Sequence, residues 1–464
     1  MTTKNEPWIM LALAGAALGC ATARPAESPS DRAPSDGAAL QRPDEGAETG
    51  VGPSSETPAE LVVRSTSGPR LERAALIRAV IARNPDVATR RHAWQAARQR
   101  SRGAGVWEDP MLAYSFAPLS IGAERFGQTV ELSQKLPWPG KLGSETAAAE
   151  RDAEWMKKDI RISELDLALA ASLAYDDYWL FERSLDVNAT HKGLLGEIQQ
   201  SSEAQYSVGM GSLSEPLAVE VEITRLEEQA LALRSERDVA VSRLNVLLHR
   251  APETKLPPPP EQRQADLTVP ASSNELQRRA LGQSPELERV GAKVRAAEAE
   301  VKAAERQAYP DVTVMASYST MWADPEHRLM LGVEAPIPLQ RAERTSRVES
   351  ARAKVAEARS ETSHTAALVR ADIDQARRRV IESIERVKLY DGRLLPAAKN
   401  QVAAARTDYV AGKTELAMAI AAERNLREIE LGRLAAIAEL WRRRARLDRA
   451  LGRLPFDAEK GGAK

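Results

Sequence analysis

The chain has one cysteine and five histidines, and aromatic residues make up 4% of its 464 positions; each shortage removes a class of protein. With Cys20 alone, no intramolecular disulfide can form and no histidine has a cysteine companion for a metal site. The histidines, His92, His191, His249, His327 and His364, lie far apart with no His-x-x-x-His pair, so no metal site is readable from them. No sign of charge dominates: 65 Lys and Arg stand against 66 Asp and Glu, interspersed rather than blocked, which gives no footprint for a nucleic acid. There is no P-loop, dinucleotide fingerprint or nucleophile elbow, and acids scattered along helices read as solvated faces. The sequence therefore describes a protein that is not an enzyme and that needs no cofactor.

What is present is alanine, leucine, glutamate and arginine, the composition of long helices. The apolar run Trp8 to Leu18 spans 11 residues behind a short head containing Lys4, and Gly19 and Cys20 follow at once. That is the layout of a secretory signal, too short to cross a bilayer as a helix. Ala17-Leu18-Gly19-Cys20 resembles a lipobox, with Ala17 where leucine is usual. The resemblance implies cleavage of a signal peptide over residues 1–19 and acylation of Cys20. Ala21, in place of aspartate after the cysteine, is similar to lipoproteins sent to the outer membrane. Residues 20–70 are rich in Pro, Ser, Gly, Asp and Glu and read as a disordered tether.

A second break, the Pro257 to Pro260 run within a linker over 251–273, cannot be helical and divides the ordered chain in two. The halves, 71–250 and 274–453, repeat each other. Asn84-Pro85-Asp86 recurs as Ser284-Pro285-Glu286, each an N-cap, a proline at the first helical position and an acid on the positive end of the dipole. Pro110 recurs as Pro310, Leu136-Pro137 as Ile337-Pro338, Tyr206 to Gly209 as Tyr409 to Gly412, and Leu248 as Leu451. The offset stays between 200 and 203 throughout, which chance does not sustain.

Each half contains a hairpin of period two, over 111–136 and 311–336. Leu112, Tyr114 and Phe116, then Val130 and Leu132, alternate with small or polar residues; Val312, Val314, Ala316 and Tyr318, then Leu329, Leu331 and Val333, do the same. Four segments of about 9 to 10 residues with one greasy face fit transmembrane strands. Periodicity alone equally fits amphipathic hairpins over a soluble core, and the lipid tether favours the membrane.

After each hairpin the period becomes helical. Leu173, Leu180, Val187 and Leu194, and likewise Ile373, Val380, Val387 and Leu394, recur every seven residues. Lys141 to Tyr206 predicts a rod of about 99 Å and Arg341 to Tyr409 one of about 104 Å. Glycine turns over 206–212 and 409–414 reverse the chain, and helices return over Leu213 to His249 and Thr414 to Leu451. Each return is too short alone; laid end to end with a helix of about 23 residues before the hairpin, it reaches about 90 Å. The second half carries three extra residues near Pro396, which shifts the packing seam and its local winding. Arg442-Arg443-Arg444 with Arg446 and Arg449 reads as a set of ion pairs near a helix end, and residues 454–464 form a tail.

A duplicated hairpin, long helix, glycine turn and two-piece return resembles the TolC family of outer-membrane efflux proteins over about residues 71–453. The more specific carriers are Asp109-Pro110, Leu136-Pro137-Trp138-Pro139-Gly140-Lys141 and the two tip turns. The lipobox is similar to that of the lipid-anchored branch serving resistance-nodulation-division (RND) pumps, and the Pro137 to Lys141 stretch to its heavy-metal-efflux members. The resemblance implies a mainly α fold with transmembrane β structure: four strands per chain, a 12-stranded barrel from a homotrimer, and a coiled-coil helical barrel in the periplasm. It implies a passive duct for metal ions or drugs, fed by a periplasmic adaptor (membrane fusion protein) and an inner-membrane RND pump. It places adaptor contacts at the tips, Val208, Gly209, Met210 and Ser212 with Ala411, Gly412, Lys413 and Thr414. Glu215 stands where the family carries an entrance acid, and equally where an acid answers a helix dipole; Met418 and Ala421 replace the acids of the second repeat. The competing readings are a lipid-anchored periplasmic adaptor and a coiled-coil envelope spacer.

Overall fold

The computed structural model describes residues 68–117, 127–209, 211–322 and 324–455. The signal peptide, Cys20, most of the tether, the turn of the first hairpin, Met210 and the tail beyond residue 455 lie outside the described residues.

The same order of elements occurs twice. The first half contains α1 (Arg73–Arg83), α2 (Pro85–Gly103), β1 (Met111–Ala117), β2 (Gly127–Leu136), α3 (Lys141–Ser207) and α4 (Ser214–Leu247). The second contains α5 (Ser273–Leu281), α6 (Pro285–Gln307), β3 (Val312–Ser319), β4 (Leu329–Glu334), α7 (Arg341–Leu389), a π-helical turn Tyr390–Leu394, α8 (Leu395–Val410) and α9 (Leu416–Ala450). The short helices α1 and α5 were not anticipated from the sequence. Their junctions with the next helix were: the Asn84 side chain accepts from the Asp86 N–H and the Ser284 side chain from the Leu287 N–H, each followed by proline at the first helical position.

The strands are shorter than the expected 9 to 10 residues, except β2: β1 has 7, β2 10, β3 8 and β4 6. Proline sets the helical end of all four. Pro110, Pro137, Pro310 and Pro336 lack the N–H a ladder needs, so pairing starts or stops beside each of them. A 3-10 turn, Pro325–His327, delays the start of β4. The strands form one antiparallel sheet in the order β1-β2-β3-β4, so the two hairpins pair with each other through β2 and β3.

The helices form a layer of four columns. Rod α3 has 67 residues, about 100 Å. It packs against α2 and α4 on one side and α6 and α9 on the other, while α7 packs against α6 and α9. The column order, α2 with α4, then α3, then α6 with α9, then α7 with α8, matches the strand order, because each column leads into its own strand. End-to-end stacking of the shorter helices is visible at two seams. Asn84 Nδ2 donates to the Leu247 carbonyl at 3.1 Å, and a Cβ on Gly452 would meet Pro285 at 2.8 Å. The residue closing the return has a left-handed backbone at both seams, Gly452 at φ 73 and His249 at φ 52.

The second rod is not a uniform helix. Its pieces of 49, 5 and 16 residues exceed α3 by three, and the π turn falls beside Pro396. Proline has no N–H for the carbonyl four residues back, and the Leu395 N–H instead bonds the Tyr390 carbonyl in a wider turn. Tyr390 packs so closely over Gly432 that a Cβ there would meet its hydroxyl at 2.6 Å. Seven-residue spacing also needs correction. Ile373, Val380 and Val387 are buried, but Leu394, inside the π turn, is exposed. Leu173, Leu180, Val187 and Leu194 are half-buried, because α3 has neighbours on both sides and the positions it buries are others, among them Ala168, Ala171, Ser172 and Tyr175.

The main core lies midway along the helices, where the proline-rich linker crosses them. Leu71, Leu76, Tyr175 and Leu244 form one cluster, and Trp179, Ile373, Ile384, Leu440 and Trp441 another. The linker is extended, as expected, and its carbonyls are satisfied by aromatic side chains of α3. Tyr178 Oη donates to Pro257 O and Trp179 Nε1 to Pro260 O. Asp176, fully buried, pairs with Arg263 of the linker, whose guanidinium lies 3.7 Å from the Trp441 ring centroid.

Candidate functional site

The sheet separates its residues into two faces of opposite character. Register places Leu112, Leu132, Ala316 and Leu331 in one row and Tyr114, Val130, Tyr318 and Leu329 in the next, with Val314 opposite Val333. Directly paired residues share a face, so the greasy sides of both hairpins coincide. That face meets solvent in the single chain: Leu331 is 82% exposed and Leu112 73%. The opposite face carries Ser133, Glu131, Thr129, Ser317 and Thr313, with small residues and Met111, Met315 and Met330 between them. Exposed aromatics stand at both ends, Trp107, Trp138 and Tyr309 beside the helices and Trp322 at the far turn. β1 and β4 each have one ladder neighbour among the described residues, leaving two open edges.

The joint between sheet and helices explains the Pro137 to Lys141 stretch residue by residue. Gly140, at φ 82, makes the left-handed turn that starts α3. Trp138 stacks on Tyr309 with ring centroids 5.3 Å apart, and its N–H donates to Asp311 at 3.1 Å. Lys141 Nζ reaches both Asp311 oxygens at 2.9 Å. Partial burial opposes ionisation of Asp311, but these donors outweigh it and hold its carboxyl below the usual range.

At the far end of the helices, Gly209 (φ 76) and Gly412 (φ 69) reverse the chain in the left-handed conformation. Val208, Ser212, Ala411, Gly412, Lys413 and Thr414 are exposed around them. The two tips touch: the Tyr409 hydroxyl lies 3.3 Å from Glu215 and 3.4 Å from Gln205, sharing its one proton between the two acceptors. Burial first and the Glu215 charge second raise the Tyr409 phenol. Glu215 lies in the first turn of α4, where an acid answers the helix dipole, and its bond to Tyr409 joins the first tip to the second.

Behind the tips, a belt of charged groups joins α3, α4, α8 and α9. Buried His191 has Nε2 3.0 Å from Glu430 and Nδ1 3.4 Å from Glu423. Arg406 pairs with Glu423, and Glu222 is shared by Arg424 and Arg225. Burial opposes a charged imidazole, yet the two carboxylates outweigh it and His191 is pushed up to about 9. Sequence reasoning missed this belt: His191 and Glu430 stand 239 residues apart, and acids on helices resemble solvated faces until a partner rod covers them. The arginine run makes ion pairs, as expected from its position: Arg442 with Asp177, Arg444 with Asp266 at 3.1 Å, Arg449 with Asp166 at 2.6 Å.

Among the described residues, no three His, Cys, Asp or Glu side chains are placed to hold a metal ion. No helix there is long and apolar enough to cross a membrane.

Residues 276–453 match the family model described as outer membrane efflux protein. The fold is that of solved outer-membrane channels. OprN aligns at TM-score 0.69 with 17% identity, covering 82% of this chain and 89% of that one. CusC aligns at 0.69 and 17%, covering 82% and 92%. VceC of Vibrio cholerae aligns at 0.67 and 16%, covering 82% and 96%. Comparison with curated proteins gives no match.

Proposed function

We propose that the chain is one protomer of an outer-membrane duct, the channel component of a tripartite bacterial efflux system. The observation that carries this reading is the sheet: one face is greasy and exposed along all four strands, and both of its edges are open. Four strands cannot close a barrel, and in lipid each unpaired backbone group costs several kcal/mol. Further copies, adding β4 of one to β1 of the next, remove both edges. Matching helix and strand order lets the same operation close the helical layer. Three copies, a 12-stranded barrel and a helical tunnel through the periplasm follow the resemblance to the TolC family and the channel folds above.

In this reading Cys20 carries the lipid, and the tips around Gly209 and Gly412 receive a periplasmic adaptor that links the duct to an RND-type inner-membrane pump. The Pro137 to Lys141 joint supports a place in the heavy-metal branch. The duct is passive, and its cargo is metal ions or drugs. A heat-modifiable trimer in outer-membrane fractions that conducts KCl across a planar bilayer is the expected result. A peripheral inner-membrane protein without conductance would point to a lipid-anchored adaptor or a spacer instead.

A further inference from the structure

The two faces of the sheet divide their large apolar residues by chemistry as well as by number. On the greasy face every large apolar side chain is branched or aromatic: Leu, Val, Tyr or Phe. On the polar face every one is methionine. Met111 and Met315 share a row with Ser133 and Gly332; Met330 stands in the next row with Ala113, Glu131 and Ser317. Met321, in the turn after β3, lies over Gly127 on this same face, where a Cβ would meet its Cγ at 2.6 Å.

Space filling does not account for this choice, because leucine packs as well and is used freely on the other face. What methionine adds is a polarizable thioether that water does not satisfy and soft cations do. The geometry favours paired sulfurs. Met315 leans from β3 onto β4 over Gly332, where a Cβ would meet its Cγ at 2.9 Å and its Sδ at 3.2 Å. Gly332 is the residue next to Met330 on the same face of β4, so the glycine leaves no side chain between the two thioethers. Diagonal neighbours of this kind, about 7 to 8 Å apart at Cα, are within reach of long side chains. From the row of Met111 and Met315 to Met321 is six residues of strand, about 20 Å along the face.

We propose that Met315 and Met330, with Met111 two strands away in the row of Met315 and Met321 beyond them, form a thioether ladder on the inner wall of the barrel that binds soft monovalent cations of the copper(I) and silver(I) class in transit. Glu131, on β2 diagonal to Met315, supplies negative charge beside it. The assignment rests on the duct reading only for which face is inner.

Silver nitrate titrated calorimetrically into the purified full-length protein in a non-ionic, thiol-free detergent buffer tests it. The Met315→Leu/Met330→Leu double variant keeps side-chain volume and is expected to weaken the tightest silver binding by about tenfold or more. Met156→Leu, on α3 away from the sheet, leaves it unchanged, and Cys20 and the histidines contribute equally to all three proteins. No silver uptake by the unaltered protein, or the same isotherm for the double variant, overturns the proposal. KCl conductance in planar bilayers is read on the same samples: loss of conductance in the unaltered protein sinks the duct, whereas normal conductance without methionine-dependent silver binding sinks the ladder alone.

Discussion

Raising the pH should loosen the tip half of the helices through one residue, His191. Its imidazole is 4% exposed, flanked by Glu423 and Glu430, and its pKa stands at about 9 against 6.5 for a free histidine. A raised folded-state pKa means the proton stabilises the fold. That contribution is complete below pH 6.5, declines as pH rises, and is gone once pH passes 9. At 1.36 kcal/mol for each pKa unit, the shift amounts to about 3 kcal/mol per chain. The loss comes from deprotonation that leaves Glu423 and Glu430 facing a neutral ring in a buried place, with Arg406 still on Glu423. Thermal unfolding of the detergent-solubilised protein at pH 6 and at pH 10, for the unaltered chain and for His191→Gln, measures it. Every other group is common to both proteins, so the difference between them isolates His191. Glutamine keeps hydrogen bonds without charge, so the variant should be destabilised at pH 6 and lose less on going to pH 10. Equal pH sensitivity of the two proteins would refute the belt as a charged structure.

Three other outcomes follow from single positions. His249 occupies a left-handed position that its counterpart fills with Gly452, so His249→Gly should stabilise the chain by about 1 kcal/mol, read as a higher melting temperature. Leu331→Arg puts a charge on the greasy face at a cost of about 2 to 4 kcal/mol per chain near the bilayer midplane, and should deplete trimer from outer-membrane fractions; Ser317→Lys on the opposite face should not. Gly412→Val forces a β-branched residue to a φ of 69 and reshapes the second tip, so pump-dependent resistance should be lost while trimer yield stays normal; unimpaired resistance would remove the adaptor role from this turn.

Local rules carried much of the architecture. Caps at Asn84 and Ser284, the prolines bounding the strands and the glycine tips act over a few residues each, and their physics does not wait for a partner segment. The three extra residues near Pro396 were equally legible, since length differences between repeats need no coordinates. Their form, a π turn under Tyr390, was not, because it depends on Gly432 of the neighbouring helix leaving room.

The sequence by itself determined that long helices follow two-faced hairpins, because periodicity and caps are properties of contiguous residues. Tertiary structure alone decided the rest. Register between β2 and β3 fixed that both greasy faces coincide, and register between β3 and β4 set Met315 opposite Gly332 and diagonal to Met330, for a slip of one residue would have turned every side chain over. Packing of α3 between two columns decided which heptad positions are buried, and closure of α9 over α3 made scattered His191, Glu423 and Glu430 one buried cluster. Contacts across more than 200 residues leave no periodic trace, because nothing in the local chain repeats when only the distant partner is chosen.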